Sequence, residues 1–247
     1  MRIIGVIPSR YKSTRFPGKP LALINDKPMV YWVYQQCLKV KELDGIYIAT
    51  DDVRIADVCR EYNLNYIMTS ENNLTGTDRV AEVASKIDAD IFVNIQGDEP
   101  MIEPDVISTV IKPLLDDENL LISNLMTRIT DPVDIANPTI CKAVTNKDGF
   151  GIYLTRAASP YPKGRIDYCY EKALGIFAMR PKALDFFREY GKKIGKAKIE
   201  SIEDIEMLRF IENGFKIKFT EVQSKSIAVD TLNDLIKVRS IMEKKIN

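Results

Sequence analysis

Four short apolar runs, at residues 3–7, 46–49, 66–68 and 91–95, are spaced through the first hundred residues, with polar, helix-patterned stretches between them. That alternation restricts the fold more than any other feature. A strand that is apolar along its whole length must be covered on both faces, and the intervening helices supply the cover. Val30, Val33, Tyr34, Cys37 and Leu38 fall at i, i+3, i+4, i+7 and i+8, a one-sided helical stripe. Further helices are expected at 55–62, after Asp51 or Asp52 as cap, and at 79–87, after Thr75 or Thr77. Val106, Ile107, Val110, Ile111 and Leu114 form another stripe behind Pro104, with Pro113 bending or ending it. The expectation is an α/β protein with a mostly parallel central sheet.

The second half reads differently. Apolar runs at 120–126, 140–144, 151–154 and 174–179 follow one another with little helix between them, punctuated by Asn137-Pro138, Asp148-Gly149 and the stretch 159–164. This predicts a smaller mixed or antiparallel lobe. Helical patterns return at 182–190, 202–212 and 232–243, with a strand at 215–220. A single domain over 1–247 is expected, in which about 1–119 and 215–247 form one part and about 120–214 the smaller lobe.

Lys plus Arg and Asp plus Glu each total 35, so no global basic excess points to nucleic acid. No apolar run approaches the ~20 residues of a membrane span. Met1-Arg2 leads straight into a core-like run, so no leader peptide is expected. The cysteines (Cys37, Cys59, Cys141, Cys169) form no CxxC pair, and free thiols in a reducing cytoplasm are expected. The chain has no histidine, which removes imidazole bases, histidine metal sites and Ser-His triads together. Any chemistry must run on carboxylates, cations, hydroxyls and a metal ion.

Four segments carry such groups. Between Pro8 and Asn25 stand Arg10, Lys12, Arg15 and Lys19 with no acid before Asn25, together with Ser13, Thr14 and Gly18. A cationic, hydroxyl-bearing loop after a core strand suits phosphate, although a solvated basic loop would look the same. It matches neither G-x-x-x-x-G-K-[ST] nor G-x-G-x-x-G. Asp98 and Glu99 follow the run 91–95 and therefore emerge at a strand's carboxyl edge, where open α/β sheets bind ligands. Asp98 there either holds Mg²⁺ or caps the following helix. Asp230 likewise ends an apolar run and either caps the helix at 232 or joins Asp98 in a metal site. Arg79 opposes the dipole of its helix, so it either faces a ligand or pairs with Glu82.

Taken in order, RYKSTRFPGKP (10–20), ATDD (49–52), MTS with TGTDR (68–79), NIQGDEPMI (94–102) and VDT (229–231) resemble the 3-deoxy-manno-octulosonate cytidylyltransferases, the CMP-Kdo synthetases of lipopolysaccharide and capsule assembly. The resemblance runs nearly end to end. It implies a Rossmann-like three-layer fold, dimerisation through the smaller lobe, and joining of CTP to an acidic 2-keto sugar with release of pyrophosphate. By resemblance Pro8, Arg10, Ser13, Thr14, Arg15 and Lys19 seat the triphosphate, helped by Gly76, Thr77, Arg79 and Gln96. Arg10, Arg15, Lys19 and Asp98 would be the catalytic groups, and Asp98 and Asp230 would ligate Mg²⁺. The acceptor acid would meet Gln96, Lys142, Arg156, Glu203 and Glu206.

The departures lie in the acceptor half. Where the family carries K-H-L-G-I-Y, this chain reads Lys172-Ala173-Leu174-Gly175-Ile176-Phe177, so Ala173 replaces a histidine expected at the sugar. A pocket that loses a hydrogen-bonding group changes its preferred substrate. The acceptor is therefore Kdo, a variant of it, or a different acid such as a phosphonate. A nucleotide-binding protein without catalysis is a third reading, disfavoured by the presence of Asp98, Asp230 and the basic loop.

Overall fold

A computed structural model of the chain describes residues 1–12, 16–164 and 168–246. The strands of the first half are β1 (Ile3–Pro8), the short pair β2 (Leu23–Ile24) and β3 (Lys27–Pro28), β4 (Gly45–Thr50), β5 (Tyr66–Met68) and β6 (Ile91–Asn94). Between them run helices α1 (Met29–Cys37), α2 (Val53–Glu61) and α3 (Gly76–Ala84), and α4 (Pro104–Asp116) follows β6. The second half supplies β7 (Ile122–Arg128), α5 (Pro132–Ala136), β8 (Lys142–Thr145), β9 (Gly151–Thr155), β10 (Glu171–Met179), α6 (Pro181–Lys193), α7 (Lys198–Glu203), α8 (Leu208–Glu212), β11 (Lys218–Glu221) and α9 (Leu232–Ile246).

The main sheet has the order β11-β7-β10-β6-β1-β4-β5, with β8 paired to β10 and β9 to β8. β1, β4, β5 and β6 are parallel, as their fully apolar character requires. β10 inserts antiparallel between β6 and β7 and carries the β8–β9 hairpin outward. The fold is thus α/β with a mixed lobe on one flank. Two apolar layers cover the sheet. One joins α1, α2 and α4 to the side chains of Ile3, Ile7, Val93 and Ile95, and the other joins α3 and α6 to Ile4, Val6 and Phe92. A third, smaller cluster seats α9, through Leu235, Val238 and Met242, on Ile24 and Met29.

Two helix caps fall on expected residues, and two expected capping roles are not taken up. Asp52 caps α2 through the N–H of Arg54, and Thr75 caps α3 through the N–H of Asp78, three residues before the expected start. Neither Asp98 nor Asp230 serves as a cap. α4 opens behind Glu103, and α9 opens on Thr231 and Asp234, which bond each other reciprocally. The helix expected over 202–212 is broken into α7 and α8, with Asp204 at φ 51 between them. Arg156 accounts for the break. Its Nε and Nη2 donate to the carbonyls of Glu203 and Asp204, which a continuous helix would have used internally.

One buried charge cluster ties the α3 side together. Arg209 is fully buried, donates to Glu200 at 2.7 Å through both Nε and Nη2, and reaches Asp78 at 2.9 Å through Nη1. Its guanidinium lies 3.6 Å from the centre of the Phe187 ring. Removing one partner strands the other charges without solvent, so Arg209→Ala is expected to lose about 3–5 kcal/mol in urea unfolding. Burial pushes the Cys59 and Cys141 thiols up to about 12 and leaves them protonated, and Cys37 moves the same way. A native thiol titration should therefore find Cys169, which is exposed, reacting first, with the other three released only on unfolding.

Candidate active site

Because β1 and β6 are parallel neighbours, with Val6 opposite Asn94, their carboxyl ends open at the same sheet edge. Ser9 and Arg10 leave one strand there, and Gln96, Gly97 and Asp98 leave the other. Gly97 allows the two loops to nest, since a Cβ at that position would come within 2.9 Å of the Pro8 carbonyl oxygen. A cleft of about 360 Å³ lies above this junction.

Lys19 stands at the centre of the charged end. Its Nζ donates to Asp98 Oδ2 at 2.6 Å and to Asp230 Oδ1 at 3.2 Å. Three features bring these residues together. Gly18, at φ 71, donates its N–H to the Tyr11 carbonyl at 2.9 Å and closes the basic loop, so that Lys19 opens a short 3-10 turn. Gly18 is needed for this backbone angle and for its close contact with the Tyr11 ring, over which Arg54 also stacks at 3.2 Å. Finally, the N–H of Val229 donates to the Asp98 carbonyl at 2.9 Å, and α9 is docked on the β2–β3 pair, so Asp230 arrives beside Asp98. The α9 cap is completed by Thr231 and Asp234, and the Asp230 carboxylate accepts from Lys19.

The opposite wall is the start of α3. Glu206 accepts from Gly76 N at 3.1 Å, from Thr77 N at 2.9 Å and from the Thr77 hydroxyl. It thereby satisfies the free N–H groups of a helix terminus from a distant part of the chain. Burial pushes the Glu206 carboxyl above its usual range, and the three donors offset only part of that push. Arg79 also lines the cleft, held by Asp51 at 3.1 Å and by the Thr69 hydroxyl, so the expected pair with Glu82 does not form; Glu82 bonds Lys86. On the floor, Gln96 and Asn94 both donate to the Gly175 carbonyl, at 2.6 and 3.1 Å.

Of the residues singled out from sequence, Pro8, Arg10, Lys19, Gly76, Arg79, Gln96, Asp98, Glu206 and Asp230 line this cleft. Thr77 is buried behind it. Ser13, Thr14 and Arg15 lie outside the described residues. Four acceptor-side expectations are not brought to the cleft. Lys142 is fully buried, with its ammonium donating to the carbonyls of Asn137, Ile140 and Arg156. Arg156 donates to the carbonyls of Pro138, Thr139, Glu203 and Asp204. Glu203 accepts from the Thr155 hydroxyl and from Arg156 N. Ala173 packs half-buried against the α3-side core, with its N–H on the Cys141 carbonyl. Arg156 and Glu203 brace the turn between α7 and α8, and Lys142 holds Arg156 through its carbonyl. Conversely, Lys196 and Asp204 line the cleft without belonging to any motif.

Cations and paired acids around one cleft at a sheet edge suit transfer of a nucleotidyl group, and together with the fold they define a nucleotidyltransferase. Comparison with known proteins narrows the class. The cytidylyltransferase family profile matches residues 4–219. The 3-deoxy-manno-octulosonate cytidylyltransferase of Geobacter metallireducens is 41% identical over 96% of this chain and 96% of its own. That of Geotalea uraniireducens is 40% identical over 99% of this chain and 100% of its own. The solved structure of CMP:2-keto-3-deoxy-manno-octonic acid synthetase complexed with CTP superposes with a TM-score of 0.92 at 36% identity, over 99% of this chain and 100% of that one. The chain belongs to the cytidylyltransferase family, on its 3-deoxy-manno-octulosonate branch.

The raised Glu206 pKa fixes the sign of one pH effect. A carboxyl that holds its proton more tightly when folded stabilises the fold most at low pH, and that contribution is lost as pH rises through the raised value. Glu206→Gln should therefore flatten the fall in unfolding free energy above the ordinary carboxylate range. Glu206→Ala should also uncap α3, at a cost of about 1–2 kcal/mol. Urea titrations across pH 4–8 (an approximate window about the carboxylate range) check both.

Proposed function

We propose that the protein transfers CMP from CTP to the anomeric hydroxyl of an acidic 2-keto-3-deoxy sugar, Kdo or a close variant, releasing pyrophosphate. The observation that carries this reading is the Lys19–Asp98–Asp230 cluster at the joined ends of β1 and β6, in a chain that superposes along its length on a synthetase complexed with CTP. Arg10 and Lys19 offer positive charge to the triphosphate where charge develops on the leaving oxygens. The start of α3, braced by Glu206, and Arg79, held by Asp51, form the nucleotide wall. Gln96 is fixed by Gly175 at the junction with the acceptor.

The donor set suits Mg²⁺. Asp98 and Asp230 present hard carboxylate oxygens to a single point, which the Lys19 ammonium occupies in this structure, so a positive charge there is already matched. Asp98 and Asp230 would hold the ion. When bound, Mg²⁺ would supply Lewis-acid neutralisation of phosphate charge and lower the pKa of the attacking hydroxyl. The chain's own task is to orient the two reactants and keep the carboxylates together.

Sequence departures at Ala173 and Phe177 leave the acceptor open to variation, and Ala173 packs half-buried against the α3-side core. The reading also includes a homodimer paired through the lobe at 120–214, where Val133, Ile152 and Tyr161 are exposed apolar residues. A cytoplasmic location fits the use of CTP; among the described residues no helix is long and apolar enough to cross a membrane.

Pyrophosphate release with CTP, Mg²⁺ and Kdo tests the reading directly. Turnover is expected with CTP and not with ATP, GTP or UTP at equal concentration. Lys19→Ala should lower kcat/KM for CTP by about 100-fold, the scale of losing one transition-state charge contact. Silence with every 2-keto-3-deoxy acid offered would refute the proposed reaction.

A further inference from the structure

Arg156 was the natural partner for the acceptor's carboxylate, but four of its five guanidinium N–H groups donate to backbone carbonyls, and it does not line the cleft. An acid bound in this cleft still needs a cation. Lys19 is held by Asp98 and Asp230, and Arg79 by Asp51 and Thr69, while Arg10 and Lys196 both act on Asp204. Among the described cations lining the cleft, Arg10, Lys19 and Arg79 come from the nucleotide half, and Lys196 is the one that comes from the acceptor half.

Lys196 comes from the acceptor half, on the link between α6 and α7. Its ammonium donates to Asp204 Oδ1 at 2.8 Å, with the two side chains 33% and 74% exposed. Both backbones are pinned. Ala197, the next residue, is 1% exposed and donates its N–H to Glu200, which is itself buried against Arg209. Asp204 sits in the left-handed region with its carbonyl held by Arg156. The Lys196–Asp204 pair is therefore an exposed, weakly held ion pair on a rigid mount, facing the cleft. An incoming carboxylate can replace Asp204 as the partner of Lys196 with little lost.

We propose that Lys196 grips the carboxylate of the acceptor acid, with Asp204 holding its ammonium in position until the acid arrives. This rests on the cytidylyltransferase reading above. It gives Arg156 the different task of shaping the α7–α8 turn that presents Asp204.

Steady-state kinetics of the full chain test the assignment, with Kdo and CTP varied separately. Lys196→Ala should raise KM for Kdo at least tenfold while KM for CTP and the melting temperature stay unchanged. Lys196→Arg, which keeps the charge, should recover most of that loss. An unchanged KM for Kdo in Lys196→Ala, or a rise in KM for CTP instead, overturns the assignment. No turnover by the unsubstituted chain overturns both it and the parent reading, whereas normal turnover with an indifferent Lys196→Ala overturns it alone.

Discussion

One ammonium group between two carboxylates organises this protein. Lys19 closes onto Asp98 and Asp230 from a loop at the start of the chain, a loop after β6 and a segment just before the last helix. Bare, two acids at that spacing would repel each other in a half-buried cleft, and a cation between them relieves the repulsion. The rest of the structure can be read as what delivers these residues. Parallel pairing of β1 with β6 puts two loops at one edge, Gly97 lets them nest, and α9 packs on Ile24 and Met29 so that Asp230 lands beside Asp98.

A second brace runs through the opposite wall. Glu206 and Arg209 lie three residues apart, one satisfying the start of α3 and the other reaching Asp78 in its first turn. α3, whose start lines the cleft, is thus held from the 120–214 lobe at two points. Arg156 works in the same region by breaking the helix at 202–212, which turns Asp204 toward the cleft. Lys142, Arg156 and Glu203, which look ligand-facing in the sequence, build the frame beside the α7–α8 turn, whereas Arg10, Lys19, Arg79, Asp98, Glu206 and Asp230 line the cleft itself.

Much of this was legible before the structure. The apolar runs at 3–7, 46–49, 66–68 and 91–95 became β1, β4, β5 and β6, because a fully apolar strand between helical stripes has few other places to go. Asp98 and Asp230 were legible as acids ending apolar runs, and Lys19 as a member of the basic loop. The less legible parts depend on contacts distant in sequence. The split between α7 and α8 is imposed by a guanidinium 47 residues upstream of Glu203, and local periodicity contains no trace of it. Lys142 and Arg156 carry a cation's signature in a motif, but burial directs their donors to carbonyls. Lys196 stands in a glycine-lysine turn with no pattern around it, and only the fold shows that it lines the cleft.

The central claim is that Asp98 and Asp230 form a divalent-ion site when Lys19 yields its place. Titration of Mn²⁺ into the protein with CTP, followed by electron paramagnetic resonance, tests it most directly. The account predicts a tightly bound ion in the unsubstituted chain beyond what CTP alone retains, lost in both Asp98→Asn and Asp230→Asn. Equal Mn²⁺ binding in the unsubstituted chain and in both variants would contradict it.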